Sequence, residues 1–223
     1  MFNNPVTLTD PDGHWPNCSP GVRCVTPIAD KRDVTKWIVA AAVDIAESEG
    51  MQSIKTANSE HSYIEAAENF IGLVGDDAVY DVKKVMDQEF GGDAVKIGDN
   101  WFEYSTPGNI IYGFYGAEVG YPDAILYMGA GYAQIGDAWE KDGELGPLGP
   151  PYYGDTMDDH FAVKFGIYLY DNYYAEDQDL TYAEFLDALD NYRYLDWMAI
   201  TEKPNEFQPR YYEYPTRRFY NYR

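Results

Sequence analysis

The stretch Asn109-Ile-Ile-Tyr-Gly-Phe-Tyr-Gly-Ala-Glu-Val-Gly-Tyr-Pro-Asp-Ala-Ile-Leu-Tyr-Met-Gly-Ala-Gly-Tyr-Ala-Gln-Ile135 decides how the chain is read. It sets Gly113, Gly116, Gly120, Gly129 and Gly131, with Gly136 one residue beyond, among Tyr112, Phe114, Tyr115, Tyr121, Tyr127 and Tyr132. Glycine allows backbones to approach closely and to take positive φ. Aromatic rings offer broad apolar faces, and tyrosine adds a polar tip. Together they predict a tightly folded groove with a floor of small residues and walls of phenolic rings. An ordinary glycine-rich core of hairpin and helix is the competing reading. Ile110 to Tyr115 reads as a strand, and Pro122 opens a helix through Ile135 with Asp123 in its first turn.

Outward from there, Val95–Ile97 and Trp101–Tyr104 are short and rich in strand formers, with a turn at Pro107-Gly108 before the partner strand. Upstream, three helices are expected. The first runs from Asp33 to Gly50, with Trp37, Ala40, Ala41 and Ile45 inward. The second covers Ser59 to Leu73, and the third Ala78 to Phe90, closed by Gly91-Gly92. Downstream, residues 136–157 read as a long Gly- and Pro-rich loop of the kind that often carries function. Asp158 or Asp159 then caps a helix through Tyr170, and Thr181 caps another from Tyr182 to about Trp197. The expected fold class is α+β: a mostly helical single domain with a small antiparallel sheet. Residues 31–200 form that domain, between a proline-rich loop over 1–30 and an aromatic, Arg-containing tail over 201–223. The tail's Arg210, Arg217, Arg218 and Arg223 suit a strap folded along the body or an arm for phosphate.

The chain has 223 residues, ample for a sizeable core. Its net charge is -22 with a sequence pI near 4.2. Such a surface repels phosphate backbones and draws basic partners, which disfavours a general nucleic-acid binder. No apolar run is long enough to span a bilayer. No charged-then-apolar leader is visible, so the chain is not expected to direct its own export. Tyrosine is abundant at 22 residues and suits stacking on sugars or bases. Cys18 and Cys24 flank a Pro-Gly turn and read as a small disulfide or as two free thiols; with only His14 nearby, a zinc site is not expected.

Two resemblances rest on these residues. Asn4-Pro-Val-Thr-Leu-Thr-Asp-Pro-Asp-Gly13 resembles the segment that ends the repeat core of Rhs proteins. There the core forms a shell around a variable C-terminal toxin and is cut near this motif. Asn109-Ile-Ile-Tyr-Gly113, Gly116 to Tyr121, Ala130-Gly-Tyr-Ala-Gln-Ile135, Asp158-Asp159 and Gly166-Ile-Tyr-Leu-Tyr170 resemble, in order, the motifs of the type-44 polymorphic toxin family. Tyr80-Asp-Val-Lys83 is similar to an upstream motif of that family. The resemblance implies a secreted antibacterial toxin delivered into a target bacterium by a type VI or similar system. It also implies a cognate immunity protein, for which the acidic surface predicts a basic contact patch. An Rhs shell and a bacterial target polymer would be the other partners, with no membrane insertion. Two departures stand out. Ile111 occupies the position of a family histidine, and Val39-Ala-Ala-Ala-Val43 lies where the family tends to carry a glutamate. Either departure is compatible with an inactive variant.

Candidate catalytic residues are Asp81, Glu103, Asp158, Asp159 and His160. Lys83, Asn109, Tyr112 and Gln134 are candidate substrate binders. Glu103 beside aromatics could hold a raised pKa and serve as an acid. A carboxylate next to His160 could orient its ring. Each has a structural reading beside it: Asp81 and Lys83 as a solvated helix end, Glu103 as an exposed strand carboxylate, and Asp158 and Asp159 as helix-capping groups. No cofactor or metal is expected. The signatures of P-loop NTPases, common serine hydrolases and zincins are absent. Two reactions remain open. One is hydrolysis of an envelope polymer such as peptidoglycan by paired carboxylates, Glu103 with Asp81 or Asp158. The other is an RNase activity using His160, Lys83 and the tail arginines.

Overall fold

The structure is a computed structural model that describes residues 33–60, 63–75, 78, 81–90, 94–141, 145–176 and 179–200, together with two short strands, 25–27 and 211–213. The Rhs-like motif, Cys18, Cys24, His14, Tyr80, Gly91-Gly92 and the tail arginines lie outside the described residues. In chain order the elements are β1 (Val25–Pro27), α1 (Thr35–Ala46), α2 (Glu49–Ser59), α3 (Tyr63–Val74), α4 (Val82–Phe90), β2 (Val95–Ile97) and β3 (Asn100–Phe102). They continue with α5 (Thr106–Val119), α6 (Asp123–Lys141), α7 (Met157–Leu169) running into a π-turn at Tyr170–Tyr174, α8 (Tyr182–Asp190), α9 (Leu195–Met198) and β4 (Tyr211–Glu213). The protein is an α+β domain, mostly helical with small antiparallel sheets.

The centre is α5, and it is a helix where its isoleucines and aromatics predict a strand. Pro107 sits in its first turn, where a missing N–H costs nothing and a fixed φ favours the helix. Gly120 ends it at φ 87°, a left-handed cap. Almost every position between is buried, so the helix is apolar all round because it is enclosed all round. The expected turn at Pro107-Gly108 is therefore a helix start, and the expected groove floor is a helix–helix contact. Gly113 lies directly against the carbonyl of Val163, and Gly166 of α7 lies directly against the carbonyl of Ile110. The two backbones meet with no side chain between them. Gly116 receives the Leu126 side chain of α6 in the same way. The predicted floor is packed solid.

Around this pair, Tyr115 is fully buried and donates its hydroxyl to the Ala41 carbonyl of α1 at 2.7 Å. Ala41 and Ala42 are core residues there. Lys55 of α2 reaches Glu118 of α5 at 2.6 Å, and the Glu118 side chain is only 1% exposed. Phe114 meets Tyr170 and Tyr174 edge-on from the π-turn. The β2–β3 hairpin acts as a clasp. Its turn uses Gly98 at φ 58°, the Val34 N–H donates to Lys96 O at 2.9 Å, and the Ile200 N–H donates to Trp101 O at 2.8 Å. Both flanks of the helical body thus hang on one hairpin. A separate antiparallel pair joins Val25 to Glu213 and Pro27 to Tyr211, so the tail strand pairs with a segment near the N-terminus.

Helix limits shift where local chemistry overrides the apolar period. The first expected helix stops at Ala46. Ser48 then accepts the Met51 N–H and starts α2, which has few apolar residues to signal it. Gly50 is inside α2 rather than a terminator. Helix α6 continues to Lys141, past the expected end at Ile135. Thr156, not Asp158 or Asp159, occupies the N-cap position of α7. Thr181 caps α8 as expected, with a full capping box to Glu184. No described helix is long and apolar enough to cross a membrane.

Candidate functional site

The N-terminus of α7, the first turns of α4 and α5, and the 145–156 loop enclose a polar cluster inside the otherwise apolar body. The loop folds back tightly on itself. Gly146 N–H donates to Gly154 O and Gly154 N–H to Pro147 O, each at 2.9 Å. Tyr153 at φ 54° and Gly154 at φ 104° turn the chain sharply into Asp155. A non-glycine residue in that left-handed region is uncommon and often marks a functional segment. Gly131 explains why α6 carries its Ala130-Gly-Tyr-Ala-Gln run. A Cβ there would lie 2.5 Å from Tyr153 O and 2.7 Å from Tyr152 O, so only glycine lets the loop seat on the helix.

Asp155 and Asp159 are four residues apart, one just before the N-cap of α7 and one within its first turn. Asp155 is 2% exposed and Asp159 is 9% exposed. The Asp159 carboxylate accepts hydrogen bonds from the Asn109 amide and, at 3.4 Å, from the Ser105 hydroxyl. Asp155 is treated differently. Its Oδ2 is buried with no hydrogen-bond partner among the described residues. Burial first, and then the neighbouring charge of Asp159, push its pKa up to about 8. Burial also raises Asp159, while the ammonium of Lys83 and the Ser105 and Asn109 donors pull it back down. The two carboxyls sit in unlike surroundings. Asp155, with one buried oxygen unpartnered, is the one whose pKa is pushed up to about 8, while Asp159 gathers the Asn109 and Ser105 side-chain donors and the attraction of Lys83.

Lys83 lies over the start of α5. A Cβ at Gly108 would sit 2.6 Å from its Cγ, so the glycine leaves room for the lysine stem. Its charge counters the acidity problem at both aspartates. Tyr112 is on the same face of α5 as Ser105 and Asn109. It donates to Leu126 O at 3.2 Å, and Gly129 makes room for its hydroxyl. Burial, and then the charge of Asp155, push that hydroxyl well above the usual tyrosine range. It is a neutral donor at any physiological pH.

Of the nine expected site residues, the structure brings Lys83, Asn109, Tyr112 and Asp159 together, with Asp158 as a half-buried flanking charge. Asp81 does something else: its Oδ1 accepts the Lys84 N–H at 3.0 Å and caps α4. Glu103 is exposed in the turn before α5, where its carbonyl accepts the Thr106 N–H. Gln134 is half-buried on α6, one turn beyond Gly131. His160 is 2% exposed and boxed by Tyr127, Tyr152 and Phe161, with ring centroids 4.6, 4.8 and 5.4 Å away. Burial, with a smaller contribution from Lys164, lowers its pKa to about 4. No hydrogen bond joins it to Asp159 among the described residues. Ile111 is buried in the core, two positions and so about 200° around α5 from Asn109. Sequence reasoning missed Asp155, which lies inside the loop. The available signal was the Asp155-Thr-Met-Asp-Asp159 spacing across a helix start, which places two carboxyls on one side of a turn. Among the described residues no cluster of His, Cys, Asp and Glu is arranged to hold a metal.

Residues 69–172 match the sequence model of the family described as bacterial toxin 44. No curated protein and no solved structure matches the chain. The matched stretch runs from within α3 to the π-turn and holds every residue of the Asp155–Asp159 cluster. That part of the chain resembles the bacterial toxin 44 family, a family of bacterial toxins.

Proposed function

We propose that the chain is a secreted antibacterial toxin whose 31–200 domain hydrolyses a cell-envelope polymer, with the glycan of peptidoglycan as substrate. One observation carries the reading: two neighbouring buried aspartates in unlike surroundings, Asp155 with a buried oxygen that no described donor reaches and Asp159 held by Asn109, Ser105 and the charge of Lys83. Asp155 would donate its proton to the glycosidic oxygen. Asp159, held by Asn109 and Ser105, would supply the negative charge opposite, as base or nucleophile. Tyr112 and Lys83 would position the sugar and hold Asp159 ionised. Both aspartates are covered, so substrate would enter when the 145–156 loop lifts, with Tyr153 and Gly154 as its bend.

The surrounding biology follows from the toxin resemblance. The domain would be delivered into a target bacterium by a type VI or similar route from an Rhs-like parent, whose shell-end motif is Asn4 to Gly13. A cognate immunity protein would meet the acidic surface with a basic patch. The RNase alternative is less well supported. It uses His160, and that ring is closed among aromatics with its pKa lowered to about 4.

Directed expression tests the proposal. The domain sent to the periplasm should kill, and purified sacculi should clear on incubation with it. Asp155→Asn and Asp159→Asn should each remove that activity by a factor of about a thousand or more, as loss of a general acid or its partner does. Killing from the cytoplasm with degradation of RNA, and intact sacculi, would establish the RNase instead.

A further inference from the structure

On the other flank of α7 lies a second feature that the catalytic reading does not use. Lys164, Tyr168, Asn191, Tyr192, Arg193 and Tyr194 line a half-open cavity of about 310 Å³. Lys164 is five residues beyond Asp159, about 140° around the helix and about 8 Å along it. This is a separate site, not an extension of the aspartate cluster.

Its composition runs against the rest of the molecule. The chain carries 38 acidic and 16 basic residues, yet two cations converge here. Lys164 Nζ is 4.8 Å and the Arg193 guanidinium 4.4 Å from the same Tyr194 ring. Neither has a carboxylate within ion-pair distance among the described residues. Tyr194 in turn stacks on Phe161 at 4.6 Å and an interplanar angle of 20°, so the ring is a rigid platform. Tyr192 is fixed behind it by a hydrogen bond from its hydroxyl to Phe161 O at 3.0 Å. Two cations that no described carboxylate neutralises, with the Arg193 guanidinium also donating to the Tyr194 hydroxyl, suit a ligand with an anionic group. The cavity is at the small end of ligand sites, the size of one or two sugar rings.

We propose that this groove is an anchoring subsite for a carboxylate-bearing glycan, with the sugar in the cavity beside Tyr168 and Tyr194 and the carboxylate between Lys164 and Arg193. The net charge of -22 selects isolated carboxylates over a polyphosphate backbone, which the surrounding surface would repel. The choice of a glycan rests on the envelope-polymer reading above; the anionic site itself does not.

Trp197 supplies a probe, since its ring is 6.1 Å from Phe161 and half exposed. Its fluorescence would be titrated in the Asp155→Asn protein, to prevent turnover, with Trp197→Phe as the signal control. The ligands would be soluble oligomers containing N-acetylmuramic acid, uncharged chito-oligosaccharides and an RNA oligomer. The muramic-acid oligomers should saturate. The double variant Lys164→Met, Arg193→Met keeps the apolar stems and should bind them at least about tenfold more weakly, with an unchanged melting temperature. Equal affinity for the uncharged sugars, no saturation, or no effect of the double variant would overturn the proposal. Tighter binding of RNA would do the same and would assign the groove to nucleic acid. If the native protein leaves sacculi intact but the muramic-acid oligomers still bind through Lys164 and Arg193, the hydrolase reading falls and the anchoring site stands.

Discussion

Asp155→Asn should make the protein more stable at pH 8 while removing its activity. In the folded state burial and the charge of Asp159 raise the Asp155 carboxyl from 3.8 to about 8. The unfolded chain releases that proton near pH 4, so between about pH 4 and pH 8 the folded state binds more protons than the unfolded state. Stability therefore falls as pH rises through that window and levels off above it. A shift of about four pH units corresponds to a ceiling of about 6 kcal/mol at roughly 1.4 kcal/mol per unit. Water entry through the 145–156 loop would relieve much of it, and a gain of about 2 kcal/mol or more is expected for the neutral amide. The assay is urea unfolding of both proteins at pH 5 and pH 8. Self-repulsion of the acidic surface also weakens the protein as pH rises, but it is nearly common to both and cancels in the difference. The variant's advantage should grow from pH 5 to pH 8. A difference that is flat with pH, or a variant less stable at pH 8 than the native protein, would refute the assignment of the proton to Asp155.

Three further outcomes follow from the packing. Gly166→Ala would drive a methyl into the Ile110 carbonyl and the Phe114 amide, forcing α5 and α7 apart; a loss of at least about 3 kcal/mol is expected by urea unfolding. Lys55→Met leaves the buried Glu118 with the Tyr170 hydroxyl but no cation and should cost about 2–3 kcal/mol, while adding Glu118→Gln should recover most of it in a double-mutant cycle. Neutral burial of His160 lowers its pKa from 6.5 to about 4, so it favours unfolding as pH falls from about 6.5 to 4; its NMR titration should show a neutral ring at pH 5.5.

The legible parts of the chain were those where local chemistry and tertiary context agree. Thr181 with Glu184 is a capping box in sequence and in space. The Val95–Ile97 strand forms as read, paired through a turn at Gly98. Ile110 to Tyr115 misled because β-branched and aromatic residues fit a strand as well as a fully enclosed helix, and only Pro107 at the start separates the two. Helix α2 was hidden because its faces are mostly polar and its start depends on one serine hydroxyl. At the site, Asn109, Tyr112, Lys83 and Asp159 were visible as residue types beside a motif. Their buried neighbour Asp155 was not, because a loop residue acquires its environment from helices that close over it. Asp81 and Glu103 show how position is settled only by the fold: Asp81 accepts the Lys84 N–H at the start of α4, and Glu103 is exposed in the turn before α5.

The glycine-to-carbonyl contacts between α5 and α7 have one more implication. Asn109 and Ser105 ride on one of these helices and Asp159 on the other, and main chain alone sets their spacing. A side chain added at Gly113 or Gly166 should therefore shift the amide relative to the carboxylate more than a change of volume elsewhere in the interior. An inhibitor would gain little by deforming such a frame. On the hydrolase reading proposed above, an antidote would do better to clamp the 145–156 loop shut than to pry at the centre.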